Sequence, residues 1–478
     1  MSKLDEDVLF FISENLKDDI ISLYSCLLVN TVWCKTMVPI LWKIPGRIPL
    51  TKKANDILFN VILLHLSEES RDTLKNQGIN IITETSQRPL LFNYISLWNW
   101  LNLELLLETM IISKNIEKSK MSIIRNEILK LFINRNTKFN YLYIPKDFDH
   151  QLYDISWAES CFSELEVFYY NNMNQNILEE LAKVSKSIKK LIIHLIDDDI
   201  SGIIRLIEAQ KNLSEVHIFR YAGLNYESLK IVEKSLIKIA TSIQNLTMQW
   251  KPIITNFLLY FVNLKSLVMS DNIMENYPDW CQVSLPVLKS LRTYYIPANF
   301  LVRLIESTSG RLTTISIFCE IILYEGADTG KLIQAIYQNC PNLRYLKIPI
   351  KNCNLPEFER LLTNCQDLNG LIISDVRSLN FEELFNILTE SSPKSLFKFK
   401  FIFNKKFGNK LTSLKSIFDN WKDRKPILLQ IDLVNCFTQQ EKQEMKDIIE
   451  KYKAKEIIKR FDLNVLYDDV KEFEWDQE

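Results

Sequence analysis

Glycine is scarce in this chain, nine in 478 residues, and histidine is scarcer still, at four. Few glycines speak against a doubly wound α/β sheet, whose strand ends usually carry glycine-rich turns. His65, His150, His194 and His217 are too few and too scattered to suggest histidine-based acid–base or metal chemistry. The nine cysteines are odd in number, widely spread and include no CxxC pair, so they read as reduced core thiols rather than a disulfide framework or a zinc site. Neither sign of charge prevails, with 58 Lys and Arg against 59 Asp and Glu, which removes any global field for nucleic acid or an anionic membrane surface. No apolar run reaches the ~20 residues of a membrane span, and an acidic start at Asp5, Glu6 and Asp7 is unlike a secretory signal. The expectation is a protein of the cytoplasm or nucleus that binds neither nucleic acid nor membrane.

Catalytic signatures are also missing. The nearest approach to a phosphate loop, GADTGKL at Gly326–Leu332, has three residues instead of four between its glycines, and Leu332 stands where a hydroxyl is needed. There is no GxSxG elbow. His194 and His217 fall near each other in the repeat pattern described below, without a cysteine or carboxylate at ligand spacing. Asp197, Asp198 and Asp199 read as a loop or helix cap. A non-catalytic protein without a cofactor or metal is expected.

What the chain has in plenty is apolar residues, 47% of the total, arranged with a period. From residue 139 one pattern returns twelve times: an apolar residue, two variable ones, an apolar anchor, a variable residue and another apolar one. Its anchors are Leu142, Leu165, Leu191, Val216, Leu246, Leu267, Leu291, Ile315, Leu346, Leu371, Phe399 and Leu429, on average about 26 residues apart. Alternation around each anchor predicts a short strand. Between strands, segments such as 176–188, 227–243 and 355–365 carry apolar residues at intervals of three and four, which predicts helices. No strand–helix unit can stand alone, so stacking must bury a shared core. The pattern resembles leucine-rich repeats, with Asn272 the main survivor of the asparagine common in such repeats. The fold class is α/β: a short N-terminal helical domain over 1–45, a helical connector over 46–138 and an irregular leucine-rich-repeat solenoid over 139–478. The charged helix at 439–460 is expected to close the solenoid, followed by an acidic tail. Phe92, Tyr94, Trp98 and Trp100 in the connector read as packing against the first repeats.

The first 45 residues have their own pattern. Leu4, Val8, Leu9, Ile12 and Leu16 lie on one helical face, and Ile20, Leu23, Leu27 and Leu28 repeat that spacing after the polar break Lys17-Asp18-Asp19. About 40 residues are too few for a self-sufficient core, so this cluster must pack on the rest of the chain or on a partner. Leu4, Glu6, Val8, Leu9, Ile12, Leu16, Ile20, Leu23, Val29, Trp33, Leu41 and Trp42 follow in the order of an F-box, which the segment resembles. Asp5 departs from the family's usual proline, and Asp can cap a helix start instead.

With the repeats, the whole resembles the F-box and leucine-rich-repeat family. That resemblance implies a substrate receptor of an SCF-type cullin-RING ubiquitin ligase, docking on a Skp-type adaptor and choosing a protein substrate with its repeats. The adaptor residues it implies are Leu4, Val8, Leu9, Ile12, Leu16, Ile20, Trp33, Leu41 and Trp42. The other reading is a leucine-rich scaffold with no link to a ligase, its N-terminal hairpin capping the solenoid. In either case the outward strand positions, one and three residues past each anchor, are the candidate substrate surface: Tyr143, Phe168, His217, Phe219, Arg292, Tyr294, Phe318, Lys347 and Lys400.

Overall fold

A computed structural model describes residues 6–46, 50–79, 90–109, 117–146, 148, 157–221, 224–250, 252–270, 283–318, 326–374, 379–403, 410–433 and 439–463. Leu4, Asp5, His150, Asn272 and the acidic tail lie outside the described residues. The chain divides into two units, residues 1–238 and 239–478.

The first unit opens with helices α1 (Glu6–Asn15), α2 (Ile20–Leu27), α3 (Thr31–Trp42), α4 (Lys52–Leu64) and α5 (Glu68–Asn76). Their starts are set by short polar side chains that accept from exposed helix amides. Asp19 accepts from the Ser22 amide, Asn30 from Val32 and Trp33, Thr51 from Ala54 and Ser67 from Ser70. Strand β1 (Trp100–Asn102) and helix α6 (Lys118–Phe132) follow. Then strand and helix alternate: β2 (Tyr141–Ile144), α7 (Ala158–Phe162), β3 (Val167–Tyr170), α8 (Gln175–Val184), β4 (Lys190–Leu195), α9 (Ser201–Ala209), β5 (Glu215–Arg220) and α10 (Tyr226–Ile239). The five strands pair in parallel and in chain order.

The second unit holds β6 (Asn245–Met248), β7 (Ser266–Ser270), β8 (Ser290–Tyr294), α11 (Ala298–Glu306), β9 (Thr314–Phe318), α12 (Gly326–Asn339), β10 (Tyr345–Lys347) and α13 (Leu355–Asn364). It continues through β11 (Gly370–Ser374), α14 (Phe381–Ser391), β12 (Lys398–Phe403), α15 (Lys410–Asn420), β13 (Ile427–Leu433), α16 (Gln439–Lys453) and β14 (Ile458–Leu463). Its nine strands are also parallel and paired in sequence order. Each unit is therefore a leucine-rich-repeat arrangement: strand, return helix, next strand, with one core between them.

Eleven of the twelve predicted anchors occupy equivalent register positions. The exception is Leu165. Phe168 pairs with Leu142 on one side and Leu191 on the other, so it is the anchor of β3. Phe162, Leu165 and Phe168 are all fully buried, so hydrophobicity alone could not choose among them. Two strands lie where only helices were expected. β1, in the predicted connector, sets Leu101 against Leu142. β14 begins where the predicted closing helix was to continue, because α16 ends at Lys453 and Glu456 turns the chain at φ 59°.

A backbone staple repeats at the start of the strands. One carbonyl accepts two consecutive amides of the next repeat: Asn140 from Glu166 and Val167, Glu166 from Lys189 and Lys190, Lys189 from Ser214 and Glu215. The second unit does the same at Gln244, Lys265, Lys289, Thr313, Arg344 and Asn369. The helix row is packed as tightly. A Cβ on Gly202 of α9 would stand 2.4 Å from the Gln175 carbonyl oxygen of α8, so only glycine permits this approach.

Candidate functional site

Helices α1, α2 and α3 form a small module with its own interior. Leu23, Met37 and Ile40 are buried together, with Leu16, Cys26, Leu27, Trp33 and Leu41 packed against them. Leu9 is buried as well. Leu9, Leu16, Trp33 and Leu41 thus belong chiefly to the module's interior, Ile12 and Ile20 are half-buried, and Val8 is exposed. Trp42 turns toward the chain that follows, its ring 4.4 Å from that of Tyr94. The Asn99 amide donates to the Lys43 carbonyl at 3.0 Å, which ties the end of α3 to the start of the strands.

The module leaves large apolar side chains in solvent. Phe11 of α1 is 70% exposed, Ile21 of α2 79% and Leu28 88%, with Phe10, Tyr24 and Val29 also exposed. Apolar groups in this number on two consecutive short helices are the mark of a surface that a partner covers. The predicted stripes named inward-facing residues together with the exposed Val8 and Leu28, and missed Phe10, Phe11, Ile21 and Tyr24. The signal was a second apolar stripe on the opposite side of the same helices. Beside this surface a cavity of about 340 Å³ opens between α2, α3 and α4, lined by Ile20, Leu23, Tyr24, Leu41, Ile57 and Val61 among others.

The outward strand face differs between the units. In the first, rings follow one another from strand to strand. Trp100 stacks on Tyr141 at 4.2 Å, Tyr143 meets Tyr169 at 4.4 Å, Tyr169 meets His194 at 5.4 Å, and His194 stacks on Phe219 at 4.8 Å with Tyr221 at 5.9 Å. The Tyr169 hydroxyl and His194 Nε2 are 2.7 Å apart. Burial lowers the His194 pKa and keeps the ring neutral. Burial also pushes the Tyr143 hydroxyl up, helped by the Glu104 carboxylate, and takes Tyr141 to about 12. His217 reaches Glu215 at 2.6 Å and Lys190 reaches it at 2.7 Å. Those two partners, His217 first, hold the Glu215 carboxyl down at about 2 against its burial.

Phe168 is a correction. It was expected on this face and is 0% exposed in the core, because β3 lies one residue out of the predicted alternation and presents Tyr169 instead. His194 and His217 also fail to converge: in register His194 lies beside Phe219 and His217 beside Ile192. The shift hid Tyr169, whereas Trp100 packs on Tyr141 of the first repeat as expected, with part of its surface exposed.

In the second unit Arg292, Tyr294 and Phe318 are half-buried on the outward face, with Tyr294 and Phe318 opposite each other in register. Lys347 and Lys400 were expected to offer free charge there, and both are buried, Lys347 to 2% exposure. Strand neighbours cover long stems: the Lys347 ammonium lies 5.3 Å from the centre of the Phe318 ring.

Comparison with known proteins adds little. No family model and no curated protein match the sequence. Among solved structures, the chain is similar to Rad7 in its complex with Elc1 from yeast, at 14% identity and a TM-score of 0.41 over 92% of this chain and 96% of that one. The leucine-rich repeat-containing protein LegL7 of Legionella pneumophila is similar at 12% identity and a TM-score of 0.35, over 61% and 91% of the two chains. The mouse RP105/MD-1 complex gives 13% identity and a TM-score of 0.34, over 64% and 52%. Likeness at this level supports no functional conclusion.

Chemically, the described surfaces are built for contact. Gly326–Leu332, the nearest text to a phosphate loop, lies within helix α12. Among the described residues no group of three His, Cys, Asp or Glu side chains could hold a metal ion, and no helix is long and apolar enough to cross a membrane.

Proposed function

We propose that this protein is the substrate-recognition subunit of an SCF-type cullin-RING ubiquitin ligase, its α1–α3 module an F-box that docks on a Skp-type adaptor. One observation carries the reading: a helical module with its own buried interior still leaves Phe11, Ile21 and Leu28 largely in water. The order of its apolar residues matches the F-box pattern. The outward strand face then holds a protein substrate. Catalysis is by proximity, since a substrate held beside a charged ubiquitin-conjugating enzyme gains effective concentration without a reacting group from this chain. The setting is the cytoplasm or nucleus, where thiols such as Cys26, Cys34 and Cys353 stay reduced.

The test is binding of a purified Skp-type adaptor to the full chain and to an Ile21→Ser/Leu28→Ser variant whose circular dichroism is unchanged. Binding lost in the folded variant supports the reading, and an intact chain that ignores the adaptor sinks it. The second reading, a leucine-rich scaffold with a helical cap, is favoured by the Asn99–Lys43 hydrogen bond and the Trp42–Tyr94 contact. Deleting residues 1–45 separates the two: a cap takes the stability of the first repeats with it, whereas an adaptor-binding module leaves them folded.

A further inference from the structure

We infer that the cavity between α2, α3 and α4 is a binding site for a neutral small molecule, mostly apolar, with a single hydrogen-bonding group at one end. The inference does not rest on adaptor docking, because the cavity and the exposed docking face share little. Of the exposed side chains Phe10, Phe11, Ile21, Tyr24, Leu28 and Val29, only Tyr24 lines the cavity.

Size and lining come first. A volume of about 340 Å³ lies within the range of small-molecule pockets. An apolar cavity of about 150 Å³ holds benzene, so by volume this one takes roughly a dozen non-hydrogen atoms. Among the seventeen described residues around it, Lys17 alone is charged, and Tyr24 and Trp42 alone carry another side-chain polar atom. An ordered water needs about two to four polar partners, which these side chains do not offer, so an apolar occupant is favoured over water.

The walls are fixed from outside. α4 buries Phe59, Ile62 and Leu63, none of which lines the cavity, so its far side is anchored in the protein. On another wall Leu105 packs against Gly46, where a Cβ would stand 2.4 Å from Leu105 Cδ2. Trp42 is held by the Tyr94 ring at 4.4 Å. The cavity therefore owes its shape to the chain, and filling it costs little ordering.

Charge chooses the head group. Lys17 and Tyr24 are both exposed and mark the mouth. Asp18 and Asp19 follow Lys17 directly in the chain, so no positive field gathers there for an anion. The Asp19 carboxylate already accepts from the amide and the hydroxyl of Ser22, which leaves it poorly placed to draw in a cation. A neutral hydroxyl or carbonyl beside the Tyr24 hydroxyl fits both facts.

The experiment titrates the full chain by calorimetry with hexanol, octanol and decanol, and with decanoate and decyltrimethylammonium. Decanol is expected to saturate at one per chain, with affinity rising about fourfold per added methylene along the series until the cavity is full. Ala54→Leu and Val61→Phe, each filling the cavity from α4 and checked by circular dichroism, weaken decanol about tenfold or more. Ile21→Ser/Leu28→Ser retains it, which separates the cavity from adsorption to the docking face. The chain-length series decides on the wild-type chain without any substitution. No saturation by decanol, indifference to both filling variants, loss in Ile21→Ser/Leu28→Ser, or tighter binding of either charged probe overturns the inference. Adaptor binding, measured on the same samples, is unchanged by Ala54→Leu and Val61→Phe. If the cavity stays empty and adaptor binding is intact, the ligase reading stands. Decanol binding by a chain that ignores the adaptor keeps the cavity site and removes the ligase.

Discussion

Helices α2 and α9 belong to the same unit, are nearly equal in length and are both rich in isoleucine and leucine, yet they treat those residues in opposite ways. α9 buries Gly202, Ile203, Leu206 and Ile207 against its neighbours, whereas α2 buries Leu23 fully and leaves Ile21 and Tyr24 in solvent. The difference is the company each keeps. α9 has α8 alongside at glycine-limited distance, while α2 has α3 on one side. An apolar stripe makes a helix amphipathic, and the neighbours present decide whether that stripe becomes core or contact surface.

The comparison can be broken at its buried ends first. Phe168→Ala, inside the repeats, is expected to cost about 3–5 kcal/mol in chemical denaturation; a near-neutral result would return Phe168 to the surface and undo the β3 register. Leu206→Ala and Leu23→Ala are expected to cost about 2–5 kcal/mol, with adaptor binding lost only in the second. At the exposed end, Ile21→Ser and Leu28→Ser should change stability by no more than about 0.5 kcal/mol. Stability loss comparable to Leu23→Ala would mean that α2 is packed on both sides.

Acid sharpens the contrast within the strand face. Glu215 titrates lower folded than its ordinary value of 4.5, so its contribution is full above that pH and is lost as pH falls toward about 2. Glu215→Gln should flatten that limb of the stability profile. His194 also titrates lower folded than its ordinary 6.5, because burial disfavours its charged form. The unfolded chain takes up that proton first, so stability declines as pH drops below about 6.5, and His194→Phe should remove this decline. The smallest effect belongs to the solvent-exposed pair Lys183–Glu180 on α8, where Lys183→Ala is expected to change stability by less than about 1 kcal/mol.

Much of this was legible in the sequence. The anchors from Leu191 to Leu429 could be read because the same apolar spacing returns at each strand, at intervals of 21 to 31 residues. Leu165 misled because the run from Phe162 to Tyr170 offers apolar residues at every third place, and only pairing with Leu142 and Leu191 selects Phe168. β1 was hidden because three residues of strand between a 3₁₀ turn at Ile95–Leu97 and a π-helical turn at Glu104–Thr109 mimic a helical apolar spacing. The module's interior was legible for the same reason that its outer surface was not: inward residues obey the period, and outward apolar ones are recognised only when nothing covers them. Lys347 and Lys400 were placed on the right face, but their coverage depends on which side chains stand on adjacent strands.

The paired amides that hang on a single carbonyl at the strand starts have a consequence for how this chain can change over time. They are made by main-chain atoms alone, so they impose no residue type at the junction and set no length for what lies between one junction and the next. Loops and helices can grow or shrink by whole turns while the strands keep their pairing, which makes room for anchors 21 to 31 residues apart. Insertions between junctions are thus a cheap way to reshape the binding face, and a chain built this way can drift far in sequence while its scaffold stays in register.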